Sequence, residues 1–219
     1  MKLESVDISQ TASASTIVFE ALKRAIIKGE LKDGEPLRQD EIARLFNTSR
    51  IPVREAISRL QEQGLVKSQR YKGAVVAGIA PEEVSEIFDF RALLEGHVIE
   101  QAVPRMSKET LSAARSYCEE FVASSDPMEW GDLNRKFHSA LYQASGLSYH
   151  NGVVNAALDR VDRYLRAQLT LTDGMERANI EHMGILEACE KQDAKMACDR
   201  TRQHILGAKT TLINHLKSK

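Results

Sequence analysis

The 219-residue chain has no run of apolar residues long enough for a secretory leader or a membrane span, so we expect a cytoplasmic protein with no membrane contact. Cysteine is scarce. Cys118, Cys189 and Cys198 are odd in number, widely spaced and set within helical patterns, which excludes a disulfide framework and suits buried thiols in a reducing compartment. Aromatic residues are only 5% of the chain while alanine and leucine are frequent, a balance that leans helical. There is no internal repeat and no low-complexity tract, which excludes a solenoid or a tail-like chain. Nor is there a large charge of either sign, since the net charge is −1; what charge there is lies unevenly. Residues 1–80 hold 13 Lys and Arg against 10 Asp and Glu, and the remainder 17 against 21, as suits one part that meets a polyanion and another that does not.

What is present centres on Gln39 to Gly64, QDEIARLFNTSRIPVREAISRLQEQG. Two short amphipathic helical patterns flank a break at Asn47-Thr48. Ile42, Leu45 and Phe46 share one face of the first, and Val53, Ala56, Ile57 and Leu60 one face of the second, so the two helices can share a small core. Ser49 stands where an N-cap hydroxyl accepts from first-turn amides. Pro52 falls within that first turn, where its missing N–H costs little. Arg50 and Arg54, four residues apart, lie opposite Val53 and Ile57 and point to solvent. That is the end a recognition helix inserts into a major groove, where guanidinium forks take phosphate oxygens or a guanine edge. Two arginines alone are more often a solvated helix face, but the segment beyond Gly64 shifts the balance. Leu65 to Gln69 and Ala74 to Ala77 read as short strands around a tip, Arg70-Tyr71-Lys72-Gly73, with two cations and a glycine. From Arg44 to Lys72 the local charge is +5. A helix pair followed by a basic hairpin reads as a winged helix-turn-helix that meets double-stranded DNA.

On either side, residues 1–15 read as a mobile arm rich in small residues, and Thr16 to Lys28 as a third helix, with Val18, Ala21, Leu22, Ala25 and Ile26 on its inner face and Gly29 as its stop. Leu31 to Leu37 contains Asp33-Gly34 and Pro36, a turn and a short strand able to pair with the wing. The DNA-binding domain is therefore placed at 16–79, and Pro81 opens a second domain at 81–219. That domain reads as six helices: Pro81 to Val103, Lys108 to Ser124, Trp130 to Ser145, Tyr149 to Thr172, Met175 to Lys191 and Ala194 to Lys217. Breaks fall at Pro104, Asp126-Pro127, Ser145-Gly146, Asp173-Gly174 and Gln192-Asp193. The expected fold class is mainly α, a winged helix-turn-helix with a small β-wing followed by an antiparallel six-helix bundle.

Three histidines of the bundle look inward. His138 shares a face with Asn134 and Leu141, His182 with Ala178, Ile185 and Leu186, and His204 with Ala197, Thr201 and Ala208. His182 lies about ten residues before the turn at Gln192-Asp193 and His204 about eleven after it, so an antiparallel hairpin sets the two rings nearly level. Asn134 and His138, at i and i+4, present an oxygen and a nitrogen from another helix. A single inward histidine is more often a satisfied core residue; three that converge, with an amide oxygen, point to a divalent metal. Neutral imidazoles suit zinc, nickel, iron or manganese without choosing among them. Four protein ligands would leave coordination positions open to water or an anion. His97, His150 and His215 lack comparable partners and read as surface or incidental. Arg163 and Arg166 on the long fourth helix are weaker candidates to meet a carboxylate and are more often surface charges in such a place, and Glu181 and Glu187 fall off the inward face of His182.

The run TSRIPVREAISRLQEQGLV resembles the core of GntR-family transcription regulators, and Thr16 to Ile79 is similar to their N-terminal domain. By position the resemblance implies that Ser49, Arg50, Pro52 and Arg54 face the groove and that Lys72 with Gly73 contacts the minor groove. Some relatives place a basic DNA contact where this chain has Asp40; Arg38 or Arg44 would substitute for it. The spacing Asn134–His138, then His182 and His204, resembles the metal motif of the FCD effector domain of the FadR and VanR subfamilies, with six helices as in the VanR group. There the family more often has aspartate where this chain has Asn134, and loss of that charge implies weaker metal binding. Arg91 in FDFRALLEG matches an arginine that faces the effector cavity in the family; an ion pair with Glu95 is an equal alternative. The expected protein is a homodimer on a palindromic operator, since one winged domain reads half of a roughly 34 Å repeat. It answers to a small organic acid bound at the metal, which would alter the spacing of the two winged domains. The alternatives are a metal-dependent enzyme fused to a DNA anchor, weakened by the lack of a carboxylate beside the site, and a constitutive DNA-binding protein with core histidines.

Overall fold

The structure, a computed structural model, describes residues 13–169 and 174–217, and the chain divides into two compact units between Gly78 and Ile79. In the first unit, α1 (Ala14–Ile27), α2 (Gln39–Leu45) and α3 (Arg50–Glu62) precede a hairpin of β1 (Val66–Gln69) and β2 (Gly73–Val76). Helix α1 begins two residues before the expected Thr16, because the hydroxyl of Ser13 accepts from the amide of Thr16 at 3.2 Å and caps it. Residues 1–12, the rest of the expected arm, lie outside the described residues. Val18, Phe19, Leu22 and Ile26 of α1 pack on Val53, Ala56, Ile57 and Leu60 of α3, and Leu65, Val66 and Val76 close the core from the hairpin. The chain reverses between α2 and α3 through Asn47 at φ 48°, a left-handed conformation that asparagine tolerates.

The hairpin is antiparallel, with Val66 opposite Val76 and Gln69 opposite Gly73. The third strand expected at residues 31–37 is reduced to a single bridge between Pro36 and Val75. Pro36 has no amide to donate, so the pairing is carried by its neighbours: the amides of Gly34 and Leu37 donate to the carbonyls of Val76 and Ala74 at 2.9 and 2.8 Å.

Among the described residues the second unit is the expected bundle of six α-helices: α4 (Pro81–Ala102), α5 (Lys108–Ala123), α6 (Pro127–Gln143), α7 (Ser148–Leu169), α8 (Gly174–Glu190) and α9 (Ala194–Lys217), with a 3-10 turn at Val103–Arg105. Helix α6 starts three residues before the expected Trp130, since Pro127 is itself a favourable first residue. The end of the expected fourth helix and the break at Asp173 lie outside the described residues. Helix α4 packs along α9, α5 along α6 and α8, and α6 along α7. Val98, Ile99, Phe137, Leu141, Ile185, Leu186 and Ala197 form the main core. All three cysteines are free and buried there, and burial pushes the Cys118 and Cys189 thiols up to about 11 and about 12, so neither is a thiolate near neutral pH. Among the described residues no helix is long and apolar enough to cross a membrane.

Candidate nucleic-acid interface and metal centre

Burial of Val53 and Ile57 turns the opposite face of α3 to solvent, and Arg50 and Arg54 are both exposed there. Ser49 occupies the N-cap position, but its hydroxyl makes no capping bond, contrary to the sequence expectation; it stays exposed beside Arg50. Pro52 sits in the first turn of α3. Arg38 is exposed and pairs at 3.4 Å with Glu41, and Arg44 donates through Nε to the carbonyl of Asp40 at 3.3 Å. Lys72 and Gly73 lie at the exposed wing, where Gly73 has φ 72° and Tyr71 φ 66°; Tyr71 is 91% exposed, with Arg70 over its ring at 4.8 Å. Two details depart from the sequence pattern. Leu45 is 80% exposed, because the seven-residue α2 turns Ile42 and Ala43 inward and Phe46 alone follows them, so Leu45 is not a core residue. Arg59, counted in the basic segment, stacks on Phe19 at 3.9 Å and serves the fold of its own unit.

In the bundle, His138, His182 and His204 are buried, and their candidate ligand nitrogens lie within 4.8 Å of one another. Nε2 of His138 is 3.3 Å from Nε2 of His204. The remote nitrogens explain why that contact demands something between the rings. Tyr142 donates its hydroxyl hydrogen to Oε2 of Glu95 at 2.8 Å and so can only accept, at 3.2 Å, from Nδ1 of His138. Burial, then the Glu95 carboxylate, holds the Tyr142 phenol well above its ordinary range, so it stays a donor. Nδ1 of His204 donates to Oε2 of Glu181 at 2.7 Å. Both Nε2 atoms are thereby left with lone pairs that face each other. A shared proton would relieve that pair, yet Nε2 of His182 is also buried with no partner among the described residues. A divalent cation satisfies all three, and ligand nitrogens about 2.0–2.1 Å from zinc stand roughly 3–3.5 Å apart, as the His138–His204 pair already does.

Burial, followed by the neighbouring imidazoles, holds His138 and His182 well below the ordinary histidine value, which keeps both rings neutral. Asn134 is half-buried and lines, with His204, Arg91, Arg177 and Glu181, a cavity of about 30 Å³ walled on one side by Leu165 and Leu169. Arg91 is 4% exposed, pairs with Glu95 at 2.7 Å as one of its two sequence alternatives has it, and also lines this cavity.

Sequence reasoning missed three residues. Glu181, set aside as off the inward face of His182, reaches across to His204 on α9. Tyr142 lies one turn beyond His138, a spacing that could have flagged it, and Arg177 one turn before Glu181. Arg166 is a buried charge, not a surface one: it bonds Asp162 at 2.7 Å and Asp132 at 2.6 Å. The side chain of Arg163 lies outside the described residues. His97 and His150, read as surface or incidental, have ring centroids 5.9 Å apart with the rings tilted by 44°.

Residues 14–76 match the bacterial regulatory proteins of the gntR family, and residues 86–207 match the FCD domain. A solved GntR-family transcriptional regulator from Pseudomonas syringae is 31% identical, covering 94% of this chain and 86% of its own, with a TM-score of 0.56. The HTH-type transcriptional regulator YdhC of Bacillus subtilis is 28% identical over 91% of this chain and 89% of its own length. The HTH-type transcriptional repressor GlaR of Escherichia coli is 27% identical, over 86% and 90%.

Proposed function

The chain belongs to the GntR family of regulatory proteins with an FCD domain as its second half, and from that premise we propose that it is a metal-dependent, effector-responsive regulator of transcription. It is a DNA-binding transcriptional regulator. In our reading Arg50, Arg54 and Ser49 with Pro52 present α3 to the major groove, Lys72 and Gly73 present the wing to the minor groove, and Arg38 and Arg44 meet flanking phosphates. The protein binds a palindromic operator as a homodimer in the cytoplasm. Asn134, His138, His182 and His204 hold a divalent metal such as zinc, nickel, iron or manganese. A cation there supplies a positive centre with positions open to a carboxylate. Arg91, already in the cavity wall, meets the free end of a small organic acid.

One observation carries this reading: the Nε2 atoms of His138 and His204 face each other at 3.3 Å while Nε2 of His182 is buried without a partner among the described residues. An apolar core has no use for three such nitrogens, because an unsatisfied buried polar atom costs about 1–3 kcal/mol. Metal content measured after chelator treatment and reloading tests it. We expect one equivalent per chain, lost in a His138→Ala, His182→Ala double variant; full retention in that variant rules the site out. The enzyme alternative gains nothing from Glu181, whose carboxylate is engaged with the remote nitrogen of His204 and so orients a ligand.

A further inference from the structure

Asp40 is an acidic residue beside the face of α3 read here as meeting DNA, and its place in the first turn of α2 suits the helix dipole without requiring the partner it takes. It lies in the first turn of α2, and the reversal at Asn47 brings it beside Arg50, the first residue of α3. Oδ1 of Asp40 forms an ion pair with Nε of Arg50, with the two side chains 56% and 70% exposed. An ion pair that open to water contributes little to stability. A carboxylate near phosphates also opposes non-specific binding, which depends on neutralising the backbone.

The atom used is informative. A guanidinium has five N–H donors in a rigid fork, and its contact with Asp40 is made at Nε. No other acceptor meets Arg50 among the described residues, so the edge formed by the two terminal nitrogens is free. That edge makes the bidentate contact to O6 and N7 of guanine. We propose that Asp40 is a specificity-determining residue, a buttress that holds the Arg50 guanidinium edge-on for guanine and keeps it from settling on a phosphate. The carbonyl of Asp40 is itself held by Nε of Arg44, which steadies the buttress from the α2 side. The proposal rests on the reading that Arg50 enters the major groove. It adds a partner that reads no base but sets the discrimination of one that does, by an attractive contact in the right pose and a repulsive one in the wrong pose.

The test is in vitro selection from randomised duplexes with the full-length protein and with Arg50→Ala, Asp40→Asn and Asp40→Ala, followed by titration of the selected operator and its single-base variants. Arg50→Ala should erase the preference at one position in each half-site, which identifies the guanine. At that same position Asp40→Asn should lower the preference for guanine about tenfold, while binding to random-sequence duplex is unchanged or tighter. A preference kept within twofold by both Asp40 variants, or a loss spread evenly over all sequences, overturns the buttress while leaving the groove assignment of Arg50 intact. An unchanged selected motif with Arg50→Ala overturns both.

Discussion

For His138 and His204 the nitrogen that faces the cluster is defined by what the remote nitrogen does, so the carboxylates behind these rings matter as much as the rings. Glu181 accepts from Nδ1 of His204, and Glu95 acts on His138 through Tyr142. Groups in this position usually affect metal affinity 10–100-fold. We expect Glu181→Gln to weaken metal binding by about tenfold or more, measured by competition with a chromophoric chelator, with the fold intact by circular dichroism. Unchanged affinity would show that the carboxylate does not act through His204. Acid should act on the same residues. The folded values of His138 and His182 lie below the ordinary 6.5, so on acidification the unfolded chain takes up protons before the folded one. Stability of the chelator-treated protein is therefore fully present above about pH 6.5 and lost as the pH falls below it, by up to about 1.4 kcal/mol per pH unit for each histidine. Denaturant midpoints between pH 7.5 and 5.5 check this, and a His182→Leu variant should show a shallower slope. Convergence of the histidines was legible by counting from the turn at Gln192-Asp193. The part played by Glu181 was not, because a residue one position from an inward histidine leaves the helix about 100° away, and only the neighbouring helix decides what it meets there.

Helices and hairpins were legible where pattern and punctuation agree. α3 combines a buried stripe with Pro52 in its first turn, and the wing combines two short strands with Gly73 in the left-handed region. Where an element is short the pattern loses force: one turn of α2 was enough to misplace Leu45, and one proline reduced a strand to a bridge. At this scale DNA binding divides by element. Arg54→Ala on α3 should weaken the operator complex by about 1–3 kcal/mol if it reads a base. Lys72→Ala on the wing should weaken all duplexes similarly and flatten the salt dependence by about one counterion. Titrations at several salt concentrations distinguish the two. The bundle has its own element-level constraint, where α6 approaches α7. A Cβ at Gly131 would lie 2.6–2.7 Å from three atoms of Arg166, whose guanidinium is fixed by Asp162 and Asp132. Gly131→Ala should therefore lower stability by about 1–3 kcal/mol through overpacking, more than the roughly 1 kcal/mol it gains in helix propensity. A raised melting temperature would show that Arg166 moves aside freely.

For the whole molecule, the question is whether a cation held in the second unit alters what the first unit does. The net charge is positive over residues 1–80 and negative beyond them, as suits two activities separated along the chain. Coupling between them is then a free energy, and it is reciprocal: if metal changes operator affinity by some factor, operator must change metal affinity by the same factor. A cation that binds both states equally shifts nothing, however tightly it is held. The measurement is a closed cycle on the full-length protein, using zinc and manganese in turn. Operator affinity is titrated for chelator-treated and metal-loaded protein, and metal affinity is then titrated with and without saturating operator. We expect a factor of about 5 to 150, the usual range for such coupling, equal in both directions and abolished in the His138→Ala, His182→Ala variant. Equal operator affinity with and without metal would confine the cation to stabilising the bundle, about 2.7 kcal/mol at a hundredfold excess over its dissociation constant. In that case any response to a small acid would have to come from contacts to Arg91 and its neighbours alone.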